Sequence, residues 1–290
     1  MIVEINADFD LRLALMGGQT FRWQPQGGGY RGVVGGLLLQ VEHFRDVFEV
    51  QVLNASHLSH LAEDEIGQYV EKYFRVDEDP EGVRSALCKD PVLAPIVQEL
   101  GGIRILRQDP WECIVSYICS IDSNIPKIRT NVASICRALG EEIPVAAEWM
   151  EYSVPTIRAV ADSSEDLLRS MGVGFRAPYL LKTAQELRDS KWNFMDMKNE
   201  NAAKVRSDLQ SLPGIGPKVA DCILLYSLDH LDAFPIDRWV RRTVSQLYFK
   251  GEEIRDKEIK EWAFTRFGFH SGYAQQYLFE WGRLQKITSG

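Results

Sequence analysis

The most chemically suggestive residue in the chain is a lysine at the start of a predicted helix. Lys218 stands in the run Leu212-Pro213-Gly214-Ile215-Gly216-Pro217-Lys218-Val219-Ala220-Asp221-Cys222, between two helical stretches. Gly214 and Gly216 permit a tight turn with positive φ and close approach of another backbone. Pro217 suits the first helical turn, where a missing N–H costs nothing. Such a hairpin turns free backbone N–H groups and the positive end of a helix outward, a ready site for phosphate. An ordinary lysine, with a pKa of about 10.4, is protonated at neutral pH and is no nucleophile. At a helix start and partly desolvated, its neutral amine becomes accessible and can attack an electrophilic carbon. The plain alternatives are a helix-to-helix turn and a solvated lysine, although a lysine is electrostatically misplaced at that end of a helix.

A second element follows 19 positions later, in Phe234-Pro235-Ile236-Asp237-Arg238-Trp239-Val240-Arg241-Arg242. A rigid proline leads into a carboxylate at a predicted helix start, with a basic cluster behind it. Asp237 reads equally as an N-cap or as a carboxylate that stabilises developing positive charge, and one residue can do both.

These residues sit in the helical part of a chain whose pattern changes midway. Over roughly the first 55 residues the sequence reads as strands: Phe21 and Trp23 flank Arg22, Pro25 to Gly29 is a strong turn signal, and Phe48, Val50 and Val52 alternate with Glu49 and Gln51. An antiparallel sheet with one wet face fits this pattern. From about His57 the period becomes helical, with Leu58, Leu61, Ile66, Tyr69, Val70 and Phe74 on one stripe, and Gly101-Gly102 marks a break. Beyond it, Asp109 and Pro110 open a helix through Ile118, another runs from 125 to 139 and stops at Gly140, and a short one spans 163–171. Further helices are predicted over 178–189, 201–211, 217–228, 236–249 and 271–281. The fold class is therefore α+β: a small domain containing an antiparallel sheet over 1–102, then a mainly helical domain over 103–290.

Composition narrows the function classes. The chain has 290 residues, 45% of them hydrophobic, and no apolar run of the length that spans a bilayer. The amino terminus carries no export signal, which predicts an intracellular protein, in cytoplasm or nucleoid, or in the nucleus of a eukaryote. Five cysteines (Cys88, Cys113, Cys119, Cys136, Cys222) without a C-x-x-C pair favour reduced thiols over a disulfide framework or metal site. The net charge of −8 argues against nucleic acid, but residues 1–100 hold 8 basic against 16 acidic residues, whereas 101–290 hold 25 of each. Charge therefore permits DNA binding by the second part without predicting it.

The hairpin with its lysine, followed by the Pro-x-Asp loop, resembles the helix-hairpin-helix DNA glycosylase superfamily. Four further segments resemble its 8-oxoguanine DNA glycosylase branch: Gly17 to Trp23, Arg107 to Cys113, Gly172 to Ala177 and Tyr273 to Phe279. The resemblance implies a bifunctional glycosylase/AP lyase of base excision repair that flips 8-oxoguanine out of duplex DNA. In it Lys218 attacks C1′ and forms a Schiff base, β-elimination follows, and Asp237 stabilises the sugar cation. It also implies a base pocket in which the Gly18 carbonyl accepts the N7 proton that guanine lacks, Cys222 and Phe279 sandwich the base, and Gln275 reads its Watson–Crick edge. On residue type alone, Cys222 and Phe279 would be core.

For DNA contact the resemblance implies Asp122, Asn124, Lys127, Phe175, Arg176, Gly214, Gly216, Val219, Arg238 and Trp239, with Phe175 as wedge and Arg176 as reader of the opposite cytosine. Three of these depart from the family pattern: Asp122 stands for an asparagine, Lys127 for a second arginine, and Trp239 for a histidine. A flexible ammonium cannot reproduce an arginine fork, so preference for cytosine opposite the lesion is expected to relax. No cofactor or metal is required for the chemistry, with room for a monovalent cation at the hairpin, and the enzyme is expected to act as a monomer.

Three rival readings stand beside this one. An alkylpurine glycosylase of the same superfamily lacks a lysine at the hairpin position. An iron–sulfur glycosylase would need four cysteines near the carboxyl end, and none follows Cys222. A non-catalytic helix-hairpin-helix module would need the hairpin for phosphate contact but not Lys218 and Asp237 together.

Overall fold

The computed structural model describes residues 1–146, 149–190 and 192–285. The amino-terminal part is built on one antiparallel sheet of β1 (Ile2–Asn6), β2 (Trp23–Gln26), β3 (Gly29–Val34), β4 (Leu37–Phe44) and β5 (Val47–Asn54), in the order β1-β5-β4-β3-β2. The predicted turn at Pro25 to Gly29 is a two-residue hairpin in which Gln26 pairs with Gly29. Both turn residues have positive φ, +58° at Gly27 and +88° at Gly28, a mirror-image turn whose twist matches the flanking strands. In β5 the predicted alternation buries Phe48 and Val50 beside Val3 and Ile5 of β1.

The expected wet face is present where Glu4, Glu42 and Gln51 are exposed, but part of it is covered. Leu37 to Val41 are all buried, because a second hairpin, β6 (Glu142–Ala146) with β7 (Trp149–Tyr152), lies against this region and packs Ile143 on Val33 and Leu38. Tertiary hydrogen bonds hold it there: Asn54 Nδ2 donates to the Pro144 carbonyl at 2.8 Å, and His57 Nδ1 lies 3.1 Å from the Glu141 carboxylate. The sequence pattern also runs straight through a two-turn helix, Leu11–Met16, whose N-cap Asp10 accepts from the Leu13 amide. It buries Leu11, Ala14 and Leu15 against the sheet, and Leu13 reaches the second core. The helix expected from about His57 begins at Glu63 and ends at Tyr73, preceded by one 3₁₀ turn over Ser56–Leu58.

The remaining helices form the second, larger core. Those the pattern predicted appear as Pro110–Cys119, Ile125–Leu139, Glu165–Ser170, Ala177–Asp189, Ala202–Gln210, Pro217–Ser227, Arg238–Tyr248 and Ser271–Leu284. Their starts carry the expected chemistry: Asp109 caps the first and Asn124 the second, each with proline in the first turn. Pro80–Leu87, Ala94–Leu100, Ile157–Ala161 and Asp256–Phe267 are additional helices. The first two contribute Val83, Leu87, Ile96, Val97 and Leu100 to the second core, so packing crosses the 102/103 boundary. Among the described residues, no helix is long and apolar enough to cross a membrane.

Candidate active site

The hairpin joins helix Ala202–Gln210 to helix Pro217–Ser227 through Gly214, which adopts φ +79°. A Cβ added at Gly214 would lie 2.6 Å from Tyr179 Cβ, so the turn packs on helix Ala177–Asp189 where only glycine fits. Thr183 Oγ1 of that helix donates to the Pro213 carbonyl at 2.7 Å. Beneath the turn, fully buried Asp221 is gripped by Arg206 Nε at 2.6 Å and by Lys260. Two cations from separate helices thus fix the helix that carries Lys218, and a buried carboxylate requires such partners.

Lys218 is the second residue of its helix, so its side chain leaves the helix at the hairpin end. Its Nζ donates to Ser120 Oγ at 3.2 Å and lies 4.9 Å from the centre of the Tyr117 ring. Asp237 is the N-cap of helix Arg238–Tyr248, and its Oδ1 accepts from the Val240 amide at 2.8 Å. The capping reading is therefore realised, and the same carboxylate also lines the cavity that Lys218 enters.

That cavity has a volume of about 1040 Å³ and draws on six separate stretches of sequence. Of the residues expected at the site, Gly18, Asp122, Asn124, Gly214, Gly216, Lys218, Val219, Cys222, Asp237, Arg238, Trp239, Gln275 and Phe279 all line it. Burial pushes the Cys222 thiol up to about 12, against the opposing pull of the nearby Lys218 charge, so sulfur is presented as a neutral thiol. Gln275 is only 4% exposed, and its Oε1 has no hydrogen-bond partner among the described residues. An orphaned acceptor of this kind costs about 1–3 kcal/mol until a donor arrives. Gly18 has φ +93°, and a Cβ there would lie 2.8 Å from Ile125 Cδ1 and 3.5 Å from Phe279 Cε1. The glycine leaves a slot between those two side chains.

Lys127, Phe175 and Arg176 lie outside the cavity lining. Lys127 and Phe175 are exposed, Phe175 by 49%, but Arg176 is only 7% exposed. Its guanidinium lies 4.4 Å from the centre of the Phe175 ring and donates to the carbonyls of Ile121 at 2.6 Å, Asp122 at 2.9 Å and Val173 at 3.3 Å. In this structure Arg176 braces the turn at Asp122, which itself adopts φ +46°.

Sequence reasoning missed Tyr117, Ser120, Tyr226 and Arg283, all of which line the cavity. Arg283 Nη1 donates to the Gly17 carbonyl at 3.3 Å, and its guanidinium lies 5.2 Å from the Phe279 ring centre. The i, i+4 spacing of Phe279 and Arg283 on one helix was a usable signal. No comparable local pattern marks Tyr117 or Tyr226. Among the described residues no group of three or more His, Cys, Asp or Glu could hold a metal ion. A monovalent cation at the hairpin would meet backbone carbonyls, and those of Leu212, Pro213 and Gly216 each already accept a hydrogen bond.

Comparison with known proteins agrees with this geometry. Residues 1–114 match the family model for the 8-oxoguanine DNA glycosylase N-terminal domain, and residues 204–226 match the helix-hairpin-helix motif. The "Probable N-glycosylase/DNA lyase" of Methanothermobacter thermautotrophicus is 30% identical, over 98% of this chain and 97% of its own. The chain belongs to the 8-oxoguanine DNA glycosylase family. Another relative, the Arabidopsis thaliana N-glycosylase/DNA lyase OGG1, is 28% identical over 94% of this chain and 77% of its own. The crystal structure of the Clostridium acetobutylicum 8-oxoguanine glycosylase/lyase, solved with duplex DNA containing cytosine opposite 8-oxoguanine, superposes with a TM-score of 0.90. It is 30% identical and covers 99% of both chains. Membership of the 8-oxoguanine DNA glycosylase family accounts for the joint presence of a sheet domain, a hairpin and a lysine at a cavity wall.

Proposed function

We propose that this protein is a bifunctional DNA glycosylase/AP lyase that acts as a monomer and excises 8-oxoguanine from duplex DNA in base excision repair. The observation that carries this reading is the convergence of Lys218, Asp237, Cys222, Gln275, Phe279 and Gly18 on one cavity from four separate stretches of the chain. A base inside a duplex hides its glycosidic carbon, so the nucleotide must be turned out into a pocket before any residue can reach it. The slot beside Gly18 and Phe279 suits a planar ring, and the orphaned Gln275 oxygen suits the N–H groups of a purine Watson–Crick edge. The Gly18 carbonyl accepts the N7 proton of 8-oxoguanine. Guanine offers a lone pair there, which would leave a buried acceptor facing another acceptor.

In the chemical step the Lys218 amine bonds to C1′ as the C1′–N9 bond breaks and the base leaves with the glycosidic electron pair. Asp237 offsets the positive charge on the sugar as that bond lengthens. Opening of the sugar gives a Schiff base, and loss of a C2′ proton expels the 3′ phosphate. Free amide groups at the hairpin, those of Gly216 and Val219 among them, together with Arg238, hold the backbone phosphates. Phe175 fills the gap left by the flipped base, Asp122, Asn124, Lys127 and Trp239 face the DNA around it, and Arg176 braces the Asp122 turn from beneath. Such an enzyme works wherever the genome lies, in the nucleoid of a prokaryote or the nucleus of a eukaryote.

Borohydride reduction in the presence of an 8-oxoguanine duplex tests the reading, since it freezes a Schiff base as a stable covalent complex. The complex forms with the native protein and is lost in Lys218→Gln. A folded native protein that gives no trapped complex, yet binds duplex DNA, would instead be a non-catalytic binding module.

A further inference from the structure

Within the proposed base pocket, whose reading this rests on, Tyr117 joins the group that reads the base to the group that attacks the sugar. Arg283 holds the Gly17 carbonyl, but Gly18 has no side chain of its own to fix the direction of its carbonyl. The next residue, Gln19, is by contrast clamped. Its Nε2 donates to the Arg104 carbonyl at 2.8 Å, its Oε1 accepts from the Leu106 amide at 2.9 Å, and its own carbonyl accepts from Gln108 Nε2 at 2.7 Å. The clamp stops one peptide short of the carbonyl that matters. The Tyr117 hydroxyl bridges that step with one proton shared between two acceptors, lying 3.1 Å from the Gln19 carbonyl oxygen and 3.3 Å from that of Gly18. A carbonyl oxygen has two lone pairs, so donation from the tyrosine side leaves the other free for a base N–H.

The ring that carries this hydroxyl is itself immobilised. Tyr117 is buried, stacks on Tyr226 with centroids 5.6 Å apart and planes 8° from parallel, and meets the edge of Phe21 at 5.7 Å. Tyr226 is tied in turn to Gln276 Oε1 at 2.7 Å. Above the same ring sits Lys218 Nζ. We infer that Tyr117 is a positioning residue for base recognition, its hydroxyl aiming the Gly18 carbonyl and its ring supporting the Lys218 side chain. The two halves of that role sit on different atoms and can be removed separately.

Tyr117→Phe deletes only the oxygen, and Tyr117→Leu deletes the ring as well. Each is assayed in single turnover for release of 8-oxoguanine and, separately, for strand cleavage at a preformed abasic site, where there is no base to read. Tyr117→Phe should slow base release about threefold to tenfold, as expected for one neutral hydrogen bond, and leave abasic-site cleavage within about twofold of the native rate. Tyr117→Leu should slow both steps. Native rates of base release in Tyr117→Phe would overturn the inference, as would an equal loss in both steps, which marks general structural damage. A native protein that cleaves abasic sites but releases no 8-oxoguanine would remove the base-pocket reading itself, an outcome distinct from either.

Discussion

Replacing Gly18 by alanine perturbs the proposed base slot by one methyl group, and the structure fixes what that group would do. At φ +93° an L-residue is strained, by roughly 1–2 kcal/mol in left-handed backbone space. The added Cβ would lie 2.8 Å from Ile125 Cδ1, the far end of a flexible side chain that can give way, and 3.5 Å from Phe279 Cε1, an ordinary contact. Folding stability should therefore fall by about the backbone strain alone, a few degrees in melting temperature. Function should fall much further, because the methyl occupies the gap between Ile125 and Phe279. Displacing a reacting group by about 1 Å costs on the order of 10²-fold in rate. Single-turnover release of 8-oxoguanine should drop by about that factor, while cleavage of a preformed abasic site, which needs no base in the slot, drops far less. If Gly18→Ala melts as expected and releases the lesion within a few-fold of the native rate, the base does not sit against Gly18.

Other perturbations separate the remaining roles. Asp237→Asn keeps a capping oxygen for the Val240 amide, so duplex binding and folding should hold while base release slows by on the order of 10²-fold; an unchanged single-turnover rate would refute the charge-stabilising role. Burial raises the Glu112 carboxyl to about 7, above its unfolded value, so the folded state binds the extra proton and stability falls as pH rises from about 4.5 through 7. Glu112→Gln should shrink that fall by on the order of 3 kcal/mol in urea titrations across the pH range, without abolishing it, because Glu280 is raised to about 7 in the same direction. A fall as steep in the variant as in the native protein would exclude Glu112 as its source. Lys127→Arg should sharpen the preference for cytosine opposite the lesion in an excision panel across the four bases; equal rates in both proteins would leave the lysine without that role.

The parts of the molecule that were legible in the sequence are those specified locally. Asp109 and Asp237 each announce a helix start, and each side chain caps as its type predicts. The Pro-Gly-Ile-Gly-Pro-Lys run is a turn and a helix start in one, because glycine and proline restrict the backbone wherever they occur. What was hidden depends on partners far along the chain. The β6–β7 hairpin exists because Ile143 finds Val33 and Leu38 and because Asn54 and His57 reach its backbone, none of which its own short strands, one bearing Pro144, declare. Helix Leu11–Met16 is too short to show a period and is held by the Asp10 cap and the sheet beneath it. Helix Asp256–Phe267 did carry a readable stripe in Ile259, Ala263 and Phe267. Within the site, Lys218 and Asp237 stood out because charge is conspicuous at a helix end, whereas Tyr117 is one aromatic in a helix buried on every side. Arg176 shows the opposite limit, since an arginine expected to read the opposite cytosine is folded back onto three carbonyls.

The claim on which all of this depends is that the Lys218 amine bonds to the sugar of an extruded nucleotide. Reductive trapping on 8-oxoguanine duplex, followed by protease digestion and mass spectrometry, locates the attachment directly. The adduct should map to the peptide containing Lys218 and to its side-chain nitrogen. An adduct on the amino terminus or on another lysine, formed at the same rate in Lys218→Gln, would contradict the account.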